Sequence, residues 1–299
     1  NVEGGMFRTV NLMQDNWPDF TYAAESAVDA VVYVKVTSTQ QSQTPQSLLD
    51  YFFGYGTPQQ REKVGSGSGV IIREDGYIVT NYHVIEKADE ISVIDSKGNV
   101  YKASLVGQDN KTDIALIKIE PTEEMLSVVF GDSDKVLIGD WVLAIGNPFG
   151  LGSSVTAGII SAKARDIGDS PYNNYLQTDA SINQGNSGGP LFNISGEVIG
   201  INTAMFSNSG NSVGVGFSLP SNDAIYVINQ LQKKGKVERG CLGIEVKKAV
   251  TKDNVVGLAI TSLLDEQLAE FNRNPDSAGF GRSADSAPAV SEDAPYCPR

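Results

Sequence analysis

Basic residues are in short supply: 23 Lys and Arg stand against 36 Asp and Glu, a net charge of −13. A surface of that sign repels phosphates and anionic lipid alike, which excludes nucleic acid and an acidic membrane surface as partners. There is no apolar run near the roughly 18 residues that suggest a spanning helix. The opening residues also lack the charged-then-apolar pattern of a signal peptide. Asn1 rather than Met comes first, so a processed or trimmed start is the expectation, and export stays open. Cysteine is limited to Cys241 and Cys297, late and far apart. They can pair in an oxidising compartment but are too few to indicate one. Histidine is scarcer still, with His83 standing alone. No metal or other cofactor is expected.

What remains is ample for a core. The 299 residues, 40% hydrophobic and 20% charged, suit one large or two modest globular domains. Short stretches rich in Val and Ile recur at 31–36, 69–75, 77–81, 91–95, 113–119, 141–146, 197–204 and 213–220, and turn residues punctuate them. Many short strands with turn signals predict an all-β sandwich or barrel. One helix is predicted after them, over 221–235. Ser221 is placed to cap it, Ala224, Val227, Ile228 and Leu231 share a face, and Gly235 ends it. Residues 37–63 form a Gln-rich connection that carries LLDYFFGYG (48–56), whose aromatics should dock, either on the barrel or as a plug or subunit contact. Residues 272–299 are rich in Pro, Ser and Ala and predict a disordered tail.

The chemistry turns on NQGNSGGP, 183–190, a glycine-lined turn around Ser187. A serine hydroxyl is a poor nucleophile until a base takes its proton. If that base is histidine it must be His83, which follows the strand GYIVTN. An orienting carboxylate is also needed, and Asp113, at the head of the apolar run IALIKI, is the candidate. The chain order His, Asp, Ser is that of chymotrypsin-type enzymes rather than subtilisins or α/β-hydrolases. The blocks TNYHV, TDIALIKI, IGNPFGL, VTAGIIS, QTDASINQGNSGGPL and GVGFSLPS closely resemble the HtrA (high-temperature-requirement A, or Deg) family of trypsin-like serine proteases, from about Phe20 to Gly243.

The resemblance implies an all-β, chymotrypsin-like double six-stranded barrel with a C-terminal helix. It divides the chain into an N-terminal extension (1–19), a protease domain (20–236), a partial PDZ-like start (237–271) and the tail. The barrels would take about 20–125 and 126–220, ahead of the helix. It also implies catalysis by His83, Asp113 and Ser187, with backbone N–H groups of Gly185 and Ser187 forming the oxyanion hole. Ser181, Ile182, Thr203 and Met205 would line the substrate site, and the absence of an acid at Ser181 argues against cleavage after Arg or Lys. Small or medium aliphatic side chains should be favoured. The implied work is quality control of unfolded polypeptides in the periplasm or elsewhere outside the cytoplasm, by a homotrimer joined through Phe20 and Tyr22. RGCLGIEV (239–246) resembles a PDZ entry, but the later PDZ block is absent and no complete peptide-binding PDZ domain is expected. The rival from another class is a non-catalytic chaperone on the same fold. Intact His83, Asp113, Ser187 and Gly185 speak against it.

Overall fold

A computed structural model describes residues 20–43, 58–150, 152–168, 170, 172–183, 185–205, 212–239, 244–250 and 256–263. Helix α1 (Phe20–Ala27) leads into β1 (Val31–Gln43), β2 (Pro58–Arg73) and β3 (Tyr77–Asn81). A one-turn helix α2 (Tyr82–Ile85) follows, then β4 (Glu90–Ile94), β5 (Val100–Asp109) and β6 (Ile114–Lys118). These six strands close into a barrel in the order β1-β2-β3-β6-β5-β4. Val32, Val34, Ile71, Ile78, Val93, Ala115 and Ile117 fill it, the inward half of each strand's alternation.

The second barrel comprises β8 (Trp141–Gly146), β9 (Ser154–Arg165), β10 (Tyr175–Thr178), β11 (Pro190–Asn193), β12 (Glu197–Met205) and β13 (Gly216–Pro220). A β11–β12 pairing closes it, and β7 (Val129–Phe130) adds outside, parallel to β12. Helix α3 (Ser221–Lys234) follows the second barrel. Its buried Ala224, Val227, Ile228 and Leu231 join Val31, Val70, Val79, Leu143, Ile145 and Phe192 in a core cluster that welds barrel to barrel. Burying each Val, Leu, Ile or Phe there contributes about 1.5–3 kcal/mol, which holds together the seam where the site forms. Beyond it, β14 (Ile244–Val250) and β15 (Val256–Leu263) make an antiparallel hairpin inside the segment that resembles a PDZ start. No helix among the described residues is long and apolar enough to cross a membrane.

The all-β body with a closing helix is as expected, and Gly235 ends that helix at φ 72°. Two local expectations are corrected. The flanks of the 37–63 connection are strand, because β1 runs on to Gln43 and pairs with β2 down to Pro58. The aromatic stretch 48–56 lies outside the described residues, as do Cys241, Cys297 and the tail 272–299. Ser221 is no cap either. It is the first helical residue, and its buried hydroxyl donates to Gly131 O at 2.7 Å. The capping role passes to Ser133, whose Oγ accepts the Asn222 N–H at 3.1 Å.

A polar tie joins the end of α3 to the first barrel. The Arg239 guanidinium donates to both Asp109 carboxylate oxygens, at 2.8 and 2.5 Å, and lies 4.5 Å over the Tyr172 ring. Burial pushes the Asp109 carboxyl up, but the bonds from Arg239 and Thr112 outweigh it and hold the group below the usual carboxylate range. Stability from this source is therefore full above about pH 4, the unfolded value, and is lost as pH falls through the lower folded one. Asp109→Asn should cost about 2–3 kcal/mol near pH 7, less than a fully buried pair because Arg239 is partly exposed. Denaturant titrations should show that gap narrowing in acid. An equal loss at pH 7 and pH 3 would mean that the ion pair is not its source.

Candidate active site

The register of the first barrel brings base and acid together. Strands β3 and β6 run antiparallel with Asn81 opposite Ile114. His83, two residues past the end of β3, therefore faces Asp113, one residue before β6. Within α2, Val84 and Ile85 are buried in the first barrel, which turns the half-exposed His83 side chain outward. Asp113 Oδ1 accepts the backbone N–H of His83 at 2.8 Å, and Oδ2 lies 2.6 Å from His83 Nδ1. A carboxylate there places the ring proton on Nδ1 and leaves Nε2 as a lone-pair base.

Asp113 itself adopts φ 57°, a left-handed conformation that Asp tolerates better than most residues. Its carbonyl accepts the Tyr82 N–H at 3.1 Å and Asn81 Nδ2 at 2.9 Å. Strained backbone of this sort costs about 1–3 kcal/mol and persists where its surroundings over-determine it.

Ser187 comes from the other barrel. Gly185 and Gly188 take φ 109° and 84°, angles open to glycine alone without strain. Space enforces the same choice: a Cβ at 185 would lie 2.7 Å from Pro148 Cβ, and one at 188 would lie 2.3 Å from Ser68 O. The turn is tied to β12 by Gly188 N–H to Asn202 O and Asn202 N–H to Gly189 O, both 2.8 Å. It is tied across the seam by Ser68 N–H to Ser187 O at 2.8 Å. A Cβ at Gly67 would touch Val84 Cγ2 at 2.7 Å and Ser187 O at 3.1 Å. The Ser187 backbone thus sits one glycine's width from the residue after His83.

The predicted substrate-site residues gather nearby. Ile182 is buried, and its side chain lies so close to Gly216 that a Cβ there would come within 2.6 Å of Ile182 Cγ1. Gly216 pairs in turn with Met205. Ser181 turns its carbonyl to Thr156 Oγ1 (2.9 Å) and Asn186 Nδ2 (3.3 Å). Thr203 is buried and accepts from Asn81 Nδ2 at 3.4 Å. Sequence reasoning missed Gly216, Asn81 and Ser68. Asn81 carried one signal, a polar residue closing a strand that opens apolar, just before His83.

Two closed β-barrels with a histidine–carboxylate pair on one and a glycine-framed serine on the other define the trypsin-like peptidase class. A family profile described as the trypsin-like peptidase domain matches residues 67–201. Among curated relatives, the probable periplasmic serine endoprotease DegP-like of Brucella suis is 52% identical over 204 residues, covering 68% of this chain and 40% of the relative. Its counterpart from Pseudomonas putida is 45% identical over 287 residues, covering 88% and 59%. The chain thus spans about half the length of these relatives. Of solved structures, the HtrA-type protease AlgW with decapeptide superposes with a TM-score of 0.70 at 38% identity, over 82% of this chain and 79% of that one. The serine endoprotease from Yersinia pestis gives 0.62 at 38% identity, over 84% and 77%. The chain belongs to the HtrA family of trypsin-like serine proteases.

Proposed function

We propose that this chain is a serine endopeptidase that degrades unfolded or damaged polypeptides outside the cytoplasm. The observation that carries the proposal is the two-point grip of Asp113 on His83, the chain's sole histidine, at 2.8 and 2.6 Å. His83 Nε2 takes the Ser187 proton as Oγ bonds to the substrate carbonyl carbon. The negative oxygen is received by the N–H groups of Gly185 and Ser187, each worth about 3 kcal/mol in the transition state. His83 then returns the proton to the departing amine nitrogen, and water releases the acyl group by the same steps. Asp113 orients the ring and balances its charge.

Substrate chemistry follows from the lining. Ile182 and Met205 offer an apolar wall and Ser181 an uncharged base, suited to Val, Ala, Ile or Met side chains. An extended segment would pair beside 203–205, a mode that unfolded chains can supply and folded ones cannot. The periplasmic names of its relatives support an extracytoplasmic site of action. Assembly as a homotrimer is supported by an aromatic surface: the Phe20 ring packs edge-on against Trp141 at 5.5 Å, while Tyr22 and Trp141 remain 66% and 43% exposed.

The testing experiment is digestion of reduced, unfolded casein by this chain and by Ser187→Ala at equal concentration. Cleavage confined to the unaltered chain, with new C-termini on aliphatic residues, is expected, and sedimentation of the same sample should give three copies. Cleavage after Arg would refute the pocket, and a monomer would refute the assembly. A folded chain that binds casein but never cuts it would instead favour the chaperone reading.

A further inference from the structure

Ser68 lies in β2, on the barrel opposite the nucleophile, with its side chain wholly buried. Its polar atoms reach across the seam. The hydroxyl donates to Gly185 O at 2.6 Å and accepts the Asn147 N–H at 2.8 Å. The backbone N–H donates to Ser187 O at 2.8 Å, and the backbone carbonyl accepts Thr80 Oγ1 at 2.7 Å while standing where a Cβ at Gly188 would have to be. A hydroxyl used only to fill space would not need a donor and an acceptor from two separate loops.

We infer that Ser68 is a positioning residue for the oxyanion-binding turn, its hydroxyl setting the plane of the Gly185–Asn186 peptide. That peptide is held at both ends: Ser68 Oγ takes its carbonyl, and its N–H donates to Asn183 O at 3.0 Å. The clamp is needed because of the residue it acts on. Glycine at φ 109° is allowed that angle by having no Cβ, and for the same reason its flanking peptides rotate cheaply to other angles. The clamped peptide lies between the two that carry the Gly185 and Ser187 N–H groups, so its rotation would turn those donors out of the common direction an oxyanion needs. Pro148, 2.7 Å from where a Cβ would be, blocks one side sterically, and Ser68 supplies the directional hold. With the hydroxyl removed, the buried Gly185 carbonyl and Asn147 N–H lose their partner, and the turn gains a reason to flip.

This inference rests on the peptidase reading, and the experiment separates the two. Hydrolysis of an unfolded substrate and of a short aliphatic peptide is measured for the unaltered chain, Ser187→Ala, Ser68→Ala and Ser68→Thr, with the folded fraction and Tm of each. Loss of a direct oxyanion donor costs about 10²–10³ in kcat. Ser68→Ala, which removes both hydroxyl bonds but no oxyanion donor itself, is expected to lose about 10–100-fold in kcat per folded molecule, with KM within about twofold, and to bind a peptide boronate more weakly in proportion. Ser68→Thr keeps the hydroxyl but overpacks a closed site, so it should lose Tm and keep kcat per folded molecule. Opposite signatures in the two variants mark positioning. If both lose activity only in step with the folded fraction, or if Ser68→Ala retains kcat, Ser68 merely fills the seam and the inference falls alone. If the unaltered, folded chain shows no Ser187-dependent cleavage, the peptidase reading falls and takes this role with it.

Discussion

Replacing Ser187 by Ala should lower kcat for peptide hydrolysis by about six orders of magnitude, and His83→Ala by nearly as much, with the double variant no worse than either alone. The lack of additivity is the informative part. His83 contributes only by taking a proton from Ser187 Oγ, so once the oxygen is gone the imidazole has nothing to activate. What survives comes from substrate binding and the N–H groups of the 185–187 turn, which neither change touches. KM should move little, because neither side chain holds the substrate before attack. Kinetics on an aliphatic peptide, with circular dichroism to verify folding, decide the matter. Substantial activity in His83→Ala would point to a lysine base, since no other histidine exists to substitute. A multiplicative loss in the double variant would mean that the two residues act independently, contrary to a shared proton transfer.

The second large effect is expected at Asp113. Asp113→Asn should lower kcat by about four orders of magnitude while leaving KM and the fold nearly intact. One carboxylate oxygen accepts the His83 backbone N–H and the other faces Nδ1 at 2.6 Å. In Asn the remaining oxygen can keep the backbone bond, which turns the amide N–H₂ toward Nδ1. The ring must then accept there and carry its proton on Nε2, leaving that nitrogen with no lone pair to take a proton. Asn also tolerates the left-handed backbone at φ 57°, so stability should barely change. Asp113→Ala should add an unfolding cost, because a left-handed residue with a plain Cβ costs about 1–2 kcal/mol. If Asp113→Asn retained more than about a tenth of kcat, the carboxylate would not be setting the tautomer.

Much of the site was legible because the chemistry forces rare residues into local patterns. A solitary histidine after a strand, an aspartate heading an apolar run and a serine among glycines each stand out one-dimensionally, as do their order and the apolar face of α3. Several strands did not stand out. β5 and β9 are buried at only three positions each, which leaves Lys, Gln, Ser and Thr among the apolar ones and blurs the alternation. Their pairing partners, not their composition, make them strands. The same holds for the 38–43 and 58–63 ribbon, a polar pair that reads as loop until each strand lies against the other.

Ser221 and Ser68 show the limit most clearly. Ser221 opens a helix and Ser68 lies inside a strand, and nothing nearby in sequence says where either hydroxyl goes. Ser221 Oγ finds Gly131 O, and Ser68 Oγ finds Gly185 O across the barrel seam. The sequence by itself determined which residues are candidates for the chemistry, the all-β class and the face of the closing helix, because these depend on side-chain type and short-range period. Only the tertiary structure decided that Asn81 opposite Ile114 would bring His83 onto Asp113, that Arg239 would return to Asp109, and that Ser68 would hold the turn of Ser187. The reason is physical: strand register and barrel closure join residues far apart along the chain, and buried polar groups take whichever partner that closure brings within reach.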